Sequence, residues 1–184
     1  MNEALNSILD GNLSNNNGLL NQFRNNYSNL EKNERPQADP NNLIFFDKKS
    51  ANPKVYKLSL WNKLKKEYIA YSLLNKYTYN QNENEKYKHY PKMYGCFKLP
   101  NNQKFAMLVI EYKEGLKIIN KNSNNNLYTA AIQFLENAGI EQDEFELDEN
   151  VQMYLENGKK IFYVFDFELA TFDRNKINEL NHNI

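Results

Sequence analysis

The feature that most constrains this chain is Asn157-Gly158, a dipeptide set between two runs of strand-forming residues. A two-residue turn of this composition takes positive φ at its centre and follows the right-handed twist of the strands it joins, so it predicts a tight antiparallel hairpin. Upstream, Val151-Gln152-Met153-Tyr154-Leu155 alternates apolar and polar; downstream, Ile161-Phe162-Tyr163-Val164-Phe165 is β-branched and aromatic. The turn sets the register, and the register puts Asn150 beside Phe165 and Asp166 at the open end. A carboxylate and an amide oxygen would meet there, two hard oxygen ligands of the kind a phosphate-bearing magnesium ion takes. Taken alone, Asp166 merely ends a strand and Asn150 merely starts one, so the rest of the chain decides.

At 184 residues the chain is long enough for one domain, or one domain with an appendage, and for a real core. Its 23 basic and 23 acidic residues cancel, which gives no electrostatic case for nucleic acid or a membrane surface as partner. One cysteine, Cys96, excludes a disulfide framework and fits a reducing compartment. No apolar run reaches transmembrane length, and Met1-Asn2-Glu3-Ala4 has neither the basic start nor the apolar core of a signal peptide. The expectation is a soluble, cytoplasmic protein. Its abundant asparagine lies mostly outside the apolar segments and reads as compositional drift.

Residues 1–42 form an Asn-rich extension with weak helical spacing at Ala4, Leu5, Ile8 and Leu9, and again at Leu19, Leu20, Phe23, Tyr27 and Leu30. Two short docked helices or a tail that orders only with a partner both fit, with Glu31 to Pro40 as linker. Leu43 to Phe46 and Lys54 to Leu58 read as paired strands around a polar turn. From Leu60 to Lys76 the period becomes helical, with Leu60, Leu64, Tyr68, Tyr71 and Leu74 on one face and Trp61 and Leu73 at its edges. Glu67 falls on that inward face. It is either paired, with Lys57 the nearest cation, or it skirts the apolar stripe and stays solvated.

Tyr90 to Phe97 and Lys104 to Tyr112 look like two more strands. The second is unbroken by polar residues from Phe105 to Ile110, which suits a central strand covered on both faces. After an Asn-rich loop at Ile118 to Asn126, a second helix carries Leu127, Ala130, Ala131, Phe134, Leu135 and Ala138 on one face, with Gly139 at its C-cap. An acidic connection from Glu141 to Glu149 then leads to the hairpin. His89 and His182 read as surface residues, and Cys96 as a small core residue.

This order of elements, closing in Asp166-Phe167-Glu168, resembles the protein-kinase-like superfamily, in particular small and atypical members, fungal ones and the aminoglycoside and choline kinase relatives among them. The resemblance spans roughly Lys54 to Thr171. It implies an α+β, minimal kinase-like fold: an antiparallel N-lobe sheet with one helix over residues 43–112, and a truncated, mainly helical C-lobe containing the hairpin over residues 113–184. It further implies that Lys57 in Val55-Tyr56-Lys57-Leu58 grips the α- and β-phosphates of ATP and that Glu67 pairs with Lys57. Ile110 would be the gatekeeper, and the backbone of Glu111, Tyr112 and Lys113 would meet adenine. Asp166, in place of the Asp of Asp-Phe-Gly, would hold magnesium together with Asn150.

The departures from the family are equally specific. No Gly-x-Gly-x-x-Gly occurs, the six glycines being scattered. Asp143 stands seven residues before Asn150 where the family spaces its catalytic aspartate and asparagine by five. Asp143 is then the base in a longer loop, or Glu144 replaces it, or no base exists. The chain also ends soon after Asp166-Phe167-Glu168, without a full activation segment. Two functions therefore compete: an ATP- and magnesium-dependent phosphotransferase of weak or lost activity on an unspecified acceptor, and a catalytically inactive pseudokinase that works as a protein-binding module.

Overall fold

The structure is a computed structural model that describes residues 5, 9, 18–33, 42–99, 102–119, 124–142 and 150–181. In chain order these form helix α1 (Gly18–Asn26), strands β1 (Glu31–Lys32), β2 (Leu43–Asp47) and β3 (Lys54–Leu60), helices α2 (Trp61–Tyr77) and α3 (Glu83–Lys86), and strands β4 (Met93–Leu99), β5 (Asn102–Glu111) and β6 (Lys117–Ile118). Helix α4 (Asn125–Ala138), strands β7 (Ile140–Glu141), β8 (Val151–Glu156), β9 (Lys159–Val164) and β10 (Thr171–Phe172), and helix α5 (Arg174–Asn181) follow. The chain divides into two compact units, residues 1–65 with 92–112 and residues 66–91 with 113–184, the boundary falling inside α2.

The first unit is built on a five-stranded antiparallel sheet of order β1-β2-β3-β5-β4. Ala106 to Ile110 of β5 are all buried, as their unbroken apolar run predicts. Alternation along the strands sorts side chains to two faces. Phe45, Tyr56, Leu58, Met107 and Val109 form one face, and α1 lies on it through Leu20 and Phe23. The Phe23 ring meets Phe45 edge-on at 5.3 Å and Tyr56 at 5.2 Å. Burying two such side chains contributes about 1.5–3 kcal/mol each, enough to hold a helix of only nine residues that would not persist alone. Gly95 lets the helix come close, since a Cβ there would stand 2.8 Å from Leu19 Cδ1.

The second Asn-rich stretch is therefore a docked helix. The stretch expected as linker contributes β1, which pairs Glu31 with Phe46 and Lys32 with Phe45. Residues 34–41, most of the β1 to β2 connection, and most of the first helical stretch lie outside the described residues.

In the second unit the buried side of α2 carries Glu67, Ala70, Tyr71, Leu73 and Leu74. Tyr68, expected on this face, is 36% exposed, while the small Ala70, which a count of large apolar residues passes over, is fully buried. Helix α4 buries Tyr128, Ala131, Leu135 and Ala138, while Ala130 turns outward and Leu127 and Phe134 are half-buried. It stops at Gly139, whose φ of 80° is the left-handed C-cap and whose amide donates to the Glu136 carbonyl at 2.8 Å.

The hairpin forms as its turn dictates, with φ of 50° at Asn157 and 77° at Gly158 and with Val151 opposite Val164. Strand β6, which reaches the stretch expected as loop at Ile118, adds to its edge by pairing Lys117 with Met153 and Ile118 with Gln152. His89, expected at the surface, is instead half-buried, stacked on Phe162 at 4.0 Å with Nδ1–H donating to the Phe162 carbonyl at 3.1 Å. His182 lies outside the described residues.

Candidate functional site

The end of β9 is where the second unit concentrates its chemistry. Asp166 has φ of 62°, a left-handed conformation that Asp adopts more readily than other side chains yet still uncommon outside glycine. Such strain marks functional sites when neighbouring groups hold it in place. Here they are identifiable. Asn150 Nδ2 and Gln142 Nε2 each donate to the backbone carbonyl of Asp166 at 2.9 Å. The Phe165 amide donates to the Asn150 carbonyl at 3.2 Å, which continues the hairpin ladder past Val151. The next residue, Phe167, is fully buried, its ring edge-on to Tyr71 at 5.3 Å. A fixed ring on one side and a doubly held carbonyl on the other leave the Asp166 carboxylate a narrow range of directions.

Asn150 does meet Asp166, but through its nitrogen to the backbone rather than as a second oxygen beside the carboxylate. A carbonyl only accepts, so the amide must present Nδ2 to it, and Oδ1 becomes the atom able to face a cation. Among the described residues there is no cluster of three or more His, Cys, Asp or Glu that could hold a metal ion. One carboxylate with one amide oxygen suits magnesium, which keeps water and phosphate oxygens in its shell and needs no all-protein cage.

Helix α2 brings Glu67 and Tyr71 to this region one turn apart. Glu67 is 1% exposed and engaged by a partner, which excludes the solvated reading. The Tyr71 hydroxyl is buried with no hydrogen-bond partner among the described residues. Burial pushes its pKa well up, the negative charges of Glu67 and Asp166 push further, and the Asp166 backbone, short of hydrogen-bond geometry, pulls weakly the other way. Tyr71 is thus a neutral phenol that adds no charge beside the two carboxylates.

In the first unit Lys57 sits mid-strand in β3 between Ile44 and Leu108, on the sheet face opposite α1, and is 6% exposed. It too is engaged by a partner. A buried ammonium without one would cost several kcal/mol. Glu111 and Tyr112 spend their amides on the sheet, donating to the carbonyls of Lys92 at 2.8 Å and Pro53 at 3.0 Å. The Glu111 carboxylate accepts from the Lys92 amide at 3.3 Å. Lys113, in the second unit, places Nζ 4.0 Å from the centre of the Tyr154 ring. Asp143 and Glu144, the two candidates for a catalytic base, lie outside the described residues.

Gln142 is the site residue that sequence reading missed. Its position depends on β7, which pairs with β10 so that Glu141 stands opposite Thr171 and Ile140 opposite Phe172. The chain just after Asp166 therefore returns to fix the residue that holds Asp166, a long-range closure with no local signature.

No family model matches the chain, and no curated protein matches it. Among solved structures the chain is similar to WaaP in complex with acyl carrier protein, with a TM-score of 0.55 at 9% identity, over 79% of this chain. The chain spans 64% of the length of that protein. A likeness at this identity speaks to fold alone, and the fold, an antiparallel five-stranded sheet with helices in an α+β arrangement, is kinase-like.

Proposed function

We propose that the protein is a kinase-like, ATP- and magnesium-binding protein with phosphotransferase capacity. The observation that carries this reading is Asp166, a carboxylate at the end of a strand, held in a left-handed conformation by two side-chain amides and flanked by a buried phenylalanine. That arrangement fixes an anion in space, which the coordination of a metal requires and the mere ending of a strand does not.

In this reading Asp166 and Asn150 Oδ1 hold magnesium, whose charge offsets that of the phosphates. Lys57 binds the α- and β-phosphates and Glu67 orients Lys57. Burial of both residues supports the assignment, since each must find its counter-charge within the protein. The carbonyls of Glu111 and Tyr112 and the backbone of Lys113 meet adenine, the amides of the first two being committed to the sheet. Asp143, or Glu144 in its place, orients the acceptor hydroxyl as general base.

One feature favours the second reading, an inactive protein-binding module. The β1 to β2 connection, where kinase-like folds carry their glycine loop, runs Asn33-Glu34-Arg35-Pro36-Gln37-Ala38-Asp39-Pro40-Asn41-Asn42. This stretch contains no glycine and two prolines, a composition unlike the glycine loop that wraps phosphates, which favours weak or lost turnover. The protein partner in the WaaP structure is compatible with such a module.

The test is a thermal-shift titration with ATP, with and without magnesium, on the wild type, Lys57→Ala and Asp166→Asn. Asparagine tolerates the left-handed conformation and removes only the charge. Ligand at a hundredfold excess over its Kd stabilises by about 2.7 kcal/mol, readily seen as a rise in Tm. The expected result is a magnesium-dependent rise in the wild type that Asp166→Asn loses and Lys57→Ala reduces. No rise at saturating nucleotide would retire the nucleotide-binding reading.

A further inference from the structure

We propose that Gln142 is a positioning residue: by gripping the Asp166 backbone it sets how tightly the Asp166 carboxylate holds magnesium, an inference that rests on the kinase-like reading of Asp166. The Asp166 carbonyl has two acceptor sites, and Asn150 Nδ2 and Gln142 Nε2 occupy it together at 2.9 Å each. A change of φ at residue 166 from 62° towards the extended region would swing its carbonyl away from both donors, so the two bonds oppose that change and hold the conformation that aims the carboxylate.

The two grips differ in origin. Asn150 belongs to the hairpin and comes with its register. Gln142 arrives from outside the hairpin, placed by the β7 to β10 pairing and by the Asp173 amide, which donates to the Gly139 carbonyl at 3.0 Å. The far end of the Gln142 side chain shows what this placement serves. Its Oε1 is buried and has no hydrogen-bond partner among the described residues. An amide chosen only for packing would not leave an acceptor stranded, since an apolar side chain of equal length would fill the space without that penalty. The Gln142 amide is instead oriented by its bond to the Asp166 carbonyl.

Gln142→Met separates positioning from packing, because it keeps the length while removing both the donor and the stranded oxygen, and losing both together is close to neutral for stability. Calorimetric titration of magnesium into protein saturated with ADP, and of ADP without magnesium, gives the readout. The expected result is a half-saturating magnesium concentration raised about three- to tenfold, the effect of one lost hydrogen bond, with metal-free ADP binding and Tm unchanged. Should Gln142→Met not fold, Gln142→Leu, which likewise removes the donor and the stranded oxygen without adding charge, takes its place with the same expected split.

Unchanged magnesium affinity in the variant, against a wild type that binds magnesium with ADP, would overturn the positioning role and leave the nucleotide reading standing. A parallel fall of metal-dependent and metal-free binding would overturn it as well, since it marks general loosening. A wild type that shows no magnesium-dependent ADP binding would overturn the proposed function itself, and the consequence drawn for Gln142 with it.

Discussion

At the scale of single residues the second unit holds a titrating group whose protonation opposes folding. Burial against Phe162 and Phe134 lowers the pKa of His89 below its usual value, and Lys88 lowers it further, while the hydrogen bond to the Phe162 carbonyl and the charges of Glu85 and Glu156 partly offset them. The folded protein therefore binds fewer protons than the unfolded chain between the depressed pKa and about 6.5. Stability from this group is fully present above about pH 6.5 and is lost as the pH falls towards the folded-state pKa. The expected outcome is a Tm that drops more steeply between pH 7 and pH 5 in the wild type than in His89→Phe, which keeps the stacking and cannot titrate. Parallel curves would assign the acid sensitivity to other groups. His89 looked like a surface residue because its sequence neighbours Lys88 and Tyr90 are polar at their tips, whereas its actual neighbours come from β9 and α4, more than forty positions away. For Glu67, by contrast, helical phase placed it on the inward face and left open whether it was paired or solvated, which its burial decides.

At the scale of elements, what could be read from the sequence divides along the range of the contacts that make each one. The hairpin and the end of α4 were legible because Asn157-Gly158 and Gly139 act within a few residues of themselves. Strands β1, β6, β7 and β10 span two residues each, too short to show a period, and exist only through partners remote in sequence. Helix α5 went unread because its two apolar residues, Ile177 and Leu180, sit among polar ones. It is nevertheless tied in: Lys76 bonds Glu179 at 2.9 Å, and the Lys176 stem lies where a Cβ on Gly139 would fall, 2.7 Å from Cγ. Gly139→Ala would thus meet both a left-handed φ and the Lys176 stem. We expect a loss of about 1–3 kcal/mol, seen as a lower midpoint in urea at unchanged slope. A midpoint shift below a few tenths of a molar would show that α5 yields without cost.

At the scale of the whole chain, the kinase-like arrangement was legible from the order of elements, whereas the covering of the sheet by α1 was not, because weak helical spacing among asparagines carries no sign of where it docks. Equal numbers of acidic and basic residues make the protein electrically neutral at pH 7. With little net charge to keep molecules apart, light scattering at low salt is expected to pass through a maximum near neutral pH and fall on either side. A minimum there would mean that specific surface features dominate. No helix among the described residues is long and apolar enough to cross a membrane. The docking of α1 has its own consequence during synthesis. Leu20 and Phe23 leave the ribosome first, and Val109, a member of the same core cluster, follows Phe23 by 86 residues. At about 5–20 residues per second these side chains wait roughly 4–17 s for the strand that completes their cover. The nascent chain thus passes through an interval in which a chaperone has something to hold.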